Sequence, residues 1–171
     1  MAGVFHPLIN RLRRCAQSNG PASSFQYLNV FGIKDGTAAG RYLDRRKGDG
    51  GYMVILQTDD LAPFKRRVGE LGIRVVHESD HGDYKGLQLH PRDVPPAILS
   101  IDWDRGGDAP DGPWHPAGPD WKKTPPSQLA TKMQAAELQG DDPARLAAGY
   151  ARVLGRSVVN NAQGQPEIQL D

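Results

Sequence analysis

An internal repeat is the feature that most constrains the fold. The segment LQTDDLAPFKRRVGELG begins at Leu56, and LQGDDPARLAAGYARVLG, which begins at Leu138, aligns with it after a one-residue gap. In each copy an apolar stretch runs into a turn with two aspartates, which can cap a following helix. Self-similarity of this kind indicates a duplicated supersecondary unit. We therefore predict two related modules in this chain of 171 residues.

Each copy predicts a strand, a helix and further strands. The first strand is YMVILQ in one copy and MQAAELQ in the other. Apolar residues at helical spacing follow in both copies, at Leu61, Phe64, Val68 and Leu71 and at Leu146, Tyr150, Val153 and Leu154. Each helix ends at a glycine, Gly72 or Gly155, where a left-handed cap is favoured.

The two copies differ in the strands that follow the helix. The first continues through IRVVHE, GLQLH and AILSIDW, whereas the second has only SVVNN and PEIQL before Asp171. A sheet needs its last strand to cover the core and protect an edge. We therefore expect a chain that is longer than this sequence, or a second module that another chain completes.

Two segments have the composition of irregular structure. Residues 1–34 contain no acidic residue and cluster arginines in RLRR, which is typical of a poorly ordered leader or a transit peptide. Residues 104–132 are rich in Gly and Pro and are predicted to be a linker. Two tryptophans of this linker, Trp114 and Trp121, have two interpretations: they clamp a ligand, or they anchor the linker to a domain.

Charge and composition exclude several classes of protein. The formal net charge is +1, from 21 basic and 20 acidic residues, so net charge does not steer the chain to nucleic acid or to an anionic membrane. No apolar run approaches the roughly 20 residues that span a bilayer. Cys15 is the single cysteine, so no internal disulfide forms, and a spectator thiol is expected. We predict a cytoplasmic protein.

Several segments of the sequence resemble those of a known family. The βαβββ order, TDDLAPF at the strand-to-helix turn, ELGIRVV after the helix and HPRDVPPAILSID as the closing hairpin resemble the vicinal oxygen chelate superfamily. That group includes glyoxalase I, extradiol dioxygenases, methylmalonyl-CoA epimerase and the bleomycin-resistance proteins. The resemblance implies an α+β fold of tandem βαβββ modules that form a curled mixed sheet with a cup. It assigns residues 35–50 to the tail of a preceding module, 51–103 to a complete module and 133–171 to a second, incomplete module.

The resemblance also implies where a metal would bind. In metal-binding members, His, Glu or Gln side chains of paired modules ligate one divalent ion, which acts as a Lewis acid. The corresponding positions are Met53, Ala135 and Ser100. A thioether, a methyl group and a hydroxyl suit a divalent ion poorly, since such ions prefer carboxylate and imidazole. We therefore expect neither a metal nor another cofactor.

Alternation along the strands predicts which side chains line the cup. Successive residues of a strand point to opposite faces. Six residues are predicted to pack under the helix: Val54, Leu56, Leu87, Leu89, Leu99 and Ile101. The predicted ligand-binding residues face the other way and are Met53, Ile55, Gln57, Gln88, His90, Ile98 and Ser100. His90 stands at the mouth of the turn, so it either stabilises the turn or contacts a ligand.

Two further segments have competing interpretations. HESDHGDY, residues 77–84, is either a metal-binding cluster or a charged hairpin loop. LDRRKGD, which begins at Leu43, is either a phosphate-binding patch or a solvated connection. Neither contains a glycine-rich phosphate loop or a metalloprotease motif.

The expected function is that of a glyoxalase-like domain that binds a small, partly apolar molecule in the cup without the family's usual metal. One alternative is a divalent-metal-dependent isomerase, lyase or dioxygenase whose ligands lie outside this chain. The other is an inactive fragment. The residues leave open whether the protein is an enzyme. Besides the small molecule, the expected partner is a second copy that binds through open sheet edges.

Overall fold

A mixed sheet of six strands organises the chain. A computed structural model describes residues 9–12, 27–28, 38–47, 51–107, 112–118 and 135–170. In chain order its strands are β1 (Ile9–Leu12), β2 (Tyr27–Leu28), β3 (Met53–Gln57), β4 (Val75–Asp80), β5 (Tyr84–Leu89) and β6 (Ile98–Asp104). Across the sheet the strand order is β2-β1-β3-β6-β5-β4.

Helices and a separate hairpin complete the described structure, so the predicted α+β class is confirmed. The helices are α1 (Ala38–Arg46), α2 (Ala62–Glu70) and α3 (Pro143–Leu154), with a 3₁₀ turn at His115–Ala117. The hairpin pairs β7 (Val158–Asn160) with β8 (Pro166–Ile168). Within the described ranges, no helix has the length and apolar character that crossing a bilayer requires.

The elements predicted from the first copy of the repeat are all present, with bounds shifted by one or two residues. They follow one another as β3, α2, β4, β5 and β6. Strand β6 pairs parallel to β3 and antiparallel to β5, and β5 pairs antiparallel to β4. Strand β6 therefore lies inside the sheet, with a neighbour on each side.

One face of the sheet packs against α2 and α3, and we call it the helix face. Four of its side chains, those of Leu87, Leu89, Leu99 and Ile101, are at most 1% exposed. All six residues predicted to pack under the helix lie in one buried cluster with Val68 of α2 and Val153 of α3. The predicted alternation is thus confirmed for this face.

Helix α3 belongs to the second copy of the repeat and shares the core of the first. The side chain of Asp142 accepts a hydrogen bond from the backbone of its first turn at 2.9 Å, as an N-cap does. At the other end, Arg67 of α2 donates to the carbonyls of the last two residues of α3 at 2.9 and 3.3 Å. Gly155 follows in the left-handed conformation, with φ 65°. The two repeat helices are therefore joined through side-chain to main-chain bonds.

The predicted first strand of the second copy is wrong in its described part. Residues 135–139 form no strand, so this copy contributes a helix and two strands. Ala136 and Leu138 are nevertheless half-buried, and they pack against the helix-face core. In residues 135–139 the alternation thus reflects packing of Ala136 and Leu138 on the core, and these residues form no strand.

Regular structure occurs in the predicted leader and in the predicted tail of a preceding module. Residues 9–12, within the leader, form β1, which pairs parallel to β3, and β2 pairs with β1. Residues 38–46, within the predicted tail, form α1. Strands of four and two residues are too short to show a period, and their pairing covers the outer edge of β3. The rest of the leader, including Cys15, and residues 119–134 lie outside the described residues.

Gly155→Ala should lower the free energy of unfolding by about 1–2 kcal/mol, because a side chain in the left-handed region is strained. The added Cβ would also come within 2.9 Å of the Arg67 guanidinium carbon. Gly149→Ala, inside α3, is the matched control: its Cβ meets nothing within 4 Å, so stability should rise by about 0.5–1 kcal/mol. Urea unfolding measures the free energy of unfolding of both variants. If the two substitutions changed it equally, the capping role of Gly155 would be contradicted.

Tyr150→Phe should leave stability unchanged or raise it by about 1 kcal/mol, because the buried Tyr150 hydroxyl has no hydrogen-bond partner among the described residues. Burial also raises the pKa of Tyr150 from 10.0 to about 12. Its contribution to stability is therefore complete below about pH 10 and is lost as the pH rises through about 12. The variant should lose less stability than the parent between about pH 8 and about pH 11.5. Equal losses in urea unfolding at the two pH values would contradict this assignment.

Candidate functional site

The sheet brings most of the predicted ligand-binding residues together on the face opposite the helices. Ile55 of β3 pairs in register with Ser100 of β6, and Ser100 pairs with Gln88 of β5. In the next row Met53 pairs with Ile98. Residues directly opposite one another on neighbouring strands share a face of the sheet. These five side chains are therefore neighbours.

Two buried carboxylates extend this face, and the sequence analysis did not identify them. Gln57 pairs with Asp102, and Asp104 pairs with Tyr84. Ser100, Asp102 and Asp104 alternate along β6, and their exposed fractions are 1%, 1% and 6%. Alternation along ILSIDWD assigned Ser100 to the predicted cup. Continued to the end of the strand, the same two-residue period assigns Asp102 and Asp104 to that face. The sequence therefore contained a signal for both aspartates.

Trp114 covers this side of the sheet. It is 1% exposed and packs against Ile55 and Met53. Of the two interpretations of this tryptophan, the structure shows anchoring of the linker; Trp121 lies outside the described residues. We call this side the Trp114 face, formed by Met53, Ile55, Gln57, Tyr84, Gln88, Ile98, Ser100, Asp102 and Asp104.

Three donors converge on the carboxylate of Asp102. Ser100 Oγ donates to Oδ1 at 2.7 Å, and Tyr84 Oη donates to Oδ2 at 3.1 Å. The indole Nε1 of Trp114 donates to the same Oδ2 at 3.0 Å. Burial of a carboxylate is costly unless hydrogen bonds compensate it, and bonds to an ionised acceptor are stronger than neutral ones. This arrangement stabilises Asp102 as a buried acceptor.

Tyr84 reaches Asp102 because glycine stands at position 86. A Cβ at Gly86 would lie 2.7 Å from Tyr84 Oη, so a larger residue would displace the phenol. Burial and the neighbouring charge of Asp102 raise the pKa of Tyr84 well above its usual range. Its hydroxyl therefore stays protonated at neutral pH and acts as a donor. The rings of His81 and His115 stack with that of Tyr84, with centroids 6.4 and 5.4 Å away, at the exposed rim of the face.

The residues on either side of Trp114 also bind side chains of the sheet. The backbone N–H of His115 donates to Asp104 Oδ2 at 3.0 Å. On the other side, Gln57 Nε2 donates to the carbonyl of Pro113 at 3.4 Å. Three consecutive linker residues thus each contact the same face of the sheet.

His90 lies beyond the end of β5 and organises the turn. Its Nδ1 accepts from the backbone N–H of Arg92 at 3.1 Å, and its carbonyl accepts from Asp93 and Val94 at 2.9 and 3.1 Å. Arg74 binds Asp93 through two side-chain nitrogens and holds the pKa of that carboxyl well below its usual range. These hydrogen bonds correspond to the turn-stabilising interpretation of His90.

The segment HESDHGDY forms a strand end and a charged hairpin loop. Its three carboxylates each pair with a cation, in the pairs Glu78–Lys65, Asp80–Lys85 and Asp83–Arg105. In the part of the chain that the structure describes, no group of three or more His, Cys, Asp or Glu residues could hold a metal. In the other ambiguous segment, Leu43–Arg46 lies in α1, with Arg46 placed over the ring of Tyr42.

The residues at the positions where the resemblance would put a metal do not fit a divalent ion. The side chain of Met53 packs against Trp114, and Ser100 Oγ is engaged with Asp102. Ala135 is exposed and offers no donor atom. A thioether and a hydroxyl do not form the carboxylate and imidazole set that such ions require.

A separate groove of about 280 Å³ lies at the end of β3, on the side of α2 and α3. Its volume is near the lower limit for a small-molecule site. Its lining combines apolar and charged side chains and includes Leu56, Asp59, Asp60, Phe64, Leu154, Arg156 and Leu170.

No family model matches the sequence, and neither a curated protein nor a solved structure matches it.

Tyr84→Phe should lower the free energy of unfolding by about 1–3 kcal/mol, because it removes one of the donors to the buried carboxylate of Asp102. Tyr150→Phe removes a hydroxyl from a similarly buried tyrosine and is the matched control, since that hydroxyl finds no hydrogen-bond partner in the described part of the chain. Urea unfolding of the two variants at neutral pH makes the comparison. A Tyr84→Phe protein as stable as the control would show that the bond to Asp102 contributes nothing.

Proposed function

We propose that the protein is a glyoxalase-like domain that binds a small, partly apolar molecule, and that the Trp114 face is the cup of that fold. One observation carries the proposal: a buried carboxylate, Asp102, lies on the face opposite the helices and accepts hydrogen bonds from Ser100, Tyr84 and Trp114. The binding requires no metal at the family's positions, because Met53 and Ser100 do not form such a site.

The composition of the face favours ligand binding. Small-molecule sites are mostly apolar and contain a few placed polar groups. Met53, Ile55 and Ile98 provide the apolar part, and Gln88 and Asp102 provide polar groups. Gln88 is half-buried, so it is accessible from the rim.

The buried carboxylate itself argues for a role beyond stability. A hydrocarbon side chain of similar size would satisfy the core at lower cost, because it needs no compensating donors. Residues that depart from the simplest packing solution concentrate at functional sites. In the proposed complex, Asp102 accepts a hydrogen bond from an N–H or O–H group of the ligand.

A second proposed partner is another copy of this chain, bound along β4. This strand is at the edge of the sheet, and its Val75 and Val76 are 41% and 48% exposed. An edge strand offers unpaired backbone groups to a second strand, and in β4 the apolar part is the two valines. Pairing of two β4 strands would cover both valines.

Val76→Lys should convert a dimer to a monomer, because a lysine on an edge strand opposes strand pairing. Val159→Lys is the matched control, since Val159 is 43% exposed on the separate hairpin. Size-exclusion chromatography with light scattering on the full chain reads the mass directly. A parent protein that is monomeric at high micromolar concentration would rule out the β4 dimer.

A library of small amphipathic molecules, screened by thermal shift and followed by calorimetry on the full chain, should yield a saturable ligand. Gln88→Ala on the Trp114 face should weaken its binding about tenfold, the effect of one lost hydrogen bond. Leu170→Ala in the separate groove should not change the affinity. The opposite pattern would move the site to the groove, and the absence of any ligand would contradict the proposal.

Treatment with chelator, followed by Zn, Ni, Mn or Fe(II), should leave the melting temperature unchanged. A ligand that binds the native state alone stabilises it in proportion to its occupancy. A stoichiometric metal, or a large stabilisation on adding one, would favour the alternative function as a metal-dependent isomerase, lyase or dioxygenase.

A further inference from the structure

The linker segment 113–115 sits on the Trp114 face as a bound peptide would. Sheet side chains make each of its polar contacts described above: Gln57 with Pro113, Asp102 with the indole, and Asp104 with the backbone of His115. The sheet therefore already recognises an aromatic group from a Gly- and Pro-rich segment.

The recognition of the indole is built into the sheet. Ser100 and Tyr84, which orient the carboxylate of Asp102, both belong to strands, and Gly86 provides the space for the phenol. Of the three donors to Asp102, only the indole N–H of Trp114 comes from the linker. The sheet thus fixes an acceptor, and the linker supplies the N–H that meets it.

Among the described residues, the indole packs against Ile55, with Met53 alongside. A flat ring fits against these two side chains while its N–H points to Asp102. The indole thus offers a flat apolar surface and one N–H, and planar aromatic heterocycles with a ring N–H share these two features.

We propose that the indole site, formed by Met53, Ile55 and Asp102, recognises a planar aromatic heterocycle with a ring N–H, and that Trp114 is the internal occupant that such a ligand displaces. This inference rests on the proposed function and narrows its ligand class. The ring packs on Ile55 and Met53, and its N–H replaces that of Trp114 as a donor to Asp102.

The first test uses Trp114→Ala and free indole. Removal of a buried aromatic side chain leaves an apolar cavity that can bind a small aromatic molecule. Indole should bind this variant saturably in calorimetry and raise its melting temperature. 1-Methylindole has nearly the same shape but no N–H, so it should bind at least about tenfold more weakly. Equal affinities would overturn the proposal, because they would show recognition of the ring alone.

The carboxylate is tested by adding Asp102→Asn to Trp114→Ala. The neutral amide is a weaker acceptor than the carboxylate, so the preference for indole over 1-methylindole should fall. A preference that persists unchanged would place the N–H against another acceptor and overturn the assignment to Asp102.

The parent protein provides a test that does not depend on folding of the alanine variant. In ¹⁵N-labelled protein, the indole N–H resonance of Trp114 is assigned by its loss in Trp114→Phe. Excess free indole should change this resonance saturably and leave those of Trp103 and Trp121 unchanged. No change, or parallel changes in all three, would overturn displacement of Trp114.

The results also separate this inference from the proposed function. A library ligand without an aromatic N–H that binds through Gln88 would preserve the proposed function and refute the ligand class. Selective binding of indole to Trp114→Ala, with no library ligand for the parent protein, would instead support the indole site and refute the broader function.

Discussion

Strand β6 is covered on both faces, and this double burial determines the arrangement of the rest of the structure. Its alternate residues Leu99 and Ile101 enter the helix-face core, while Ser100, Asp102 and Asp104 face Trp114. Because the side-chain period of a strand is two residues, a slip of one residue would put carboxylates under the helices and hydrocarbon under the indole. The neighbours β3 and β5 are held in register by the same requirement.

The two copies of the repeat contribute unequally to this structure. The first supplies four strands and a helix, and the second supplies a helix that packs on the same face of the sheet. Arg67 binds main-chain carbonyls at the end of α3, so this link depends little on the side chains of the second copy. The second copy acts in the described structure mainly as a cover for the core of the first.

Sequence periodicity predicted the fold correctly where a segment with alternating apolar residues is also a paired strand of the sheet. The alternation over Val54–Leu56 and Leu99–Ile101 assigned the core face correctly, and the glycines at 72 and 155 both have positive φ. Periodicity failed at residues 135–139, where an alternating segment packs on the core but forms no strand. It also failed at β1, because a short strand in a polar context gains its structure from the edge that it covers.

The shared face of the predicted site residues follows from the sequence, but the groups that cover this face do not. Alternation grouped Met53, Ile55 and Ser100 correctly on one face, but it does not indicate what lies above that face. Trp114 stands in a Gly- and Pro-rich segment without any period, so its docking depends on tertiary contacts that no local pattern encodes. The role of Asp102 depends on its three donors, Ser100, Tyr84 and Trp114, and no local sequence pattern indicates that these three residues meet at one carboxylate.

The parallel pairing of β3 with β6 also has a consequence for the order of folding. Strands β4, β5 and β6 form consecutive antiparallel pairs with short connections, whereas β3 meets β6 only after α2, β4 and β5 have been traversed. Contacts between residues distant in the chain form more slowly, because closing the intervening loop costs entropy. The three-stranded meander can therefore assemble early, with Asp102 still hydrated, and the carboxylate loses its water only when β3 and the indole arrive.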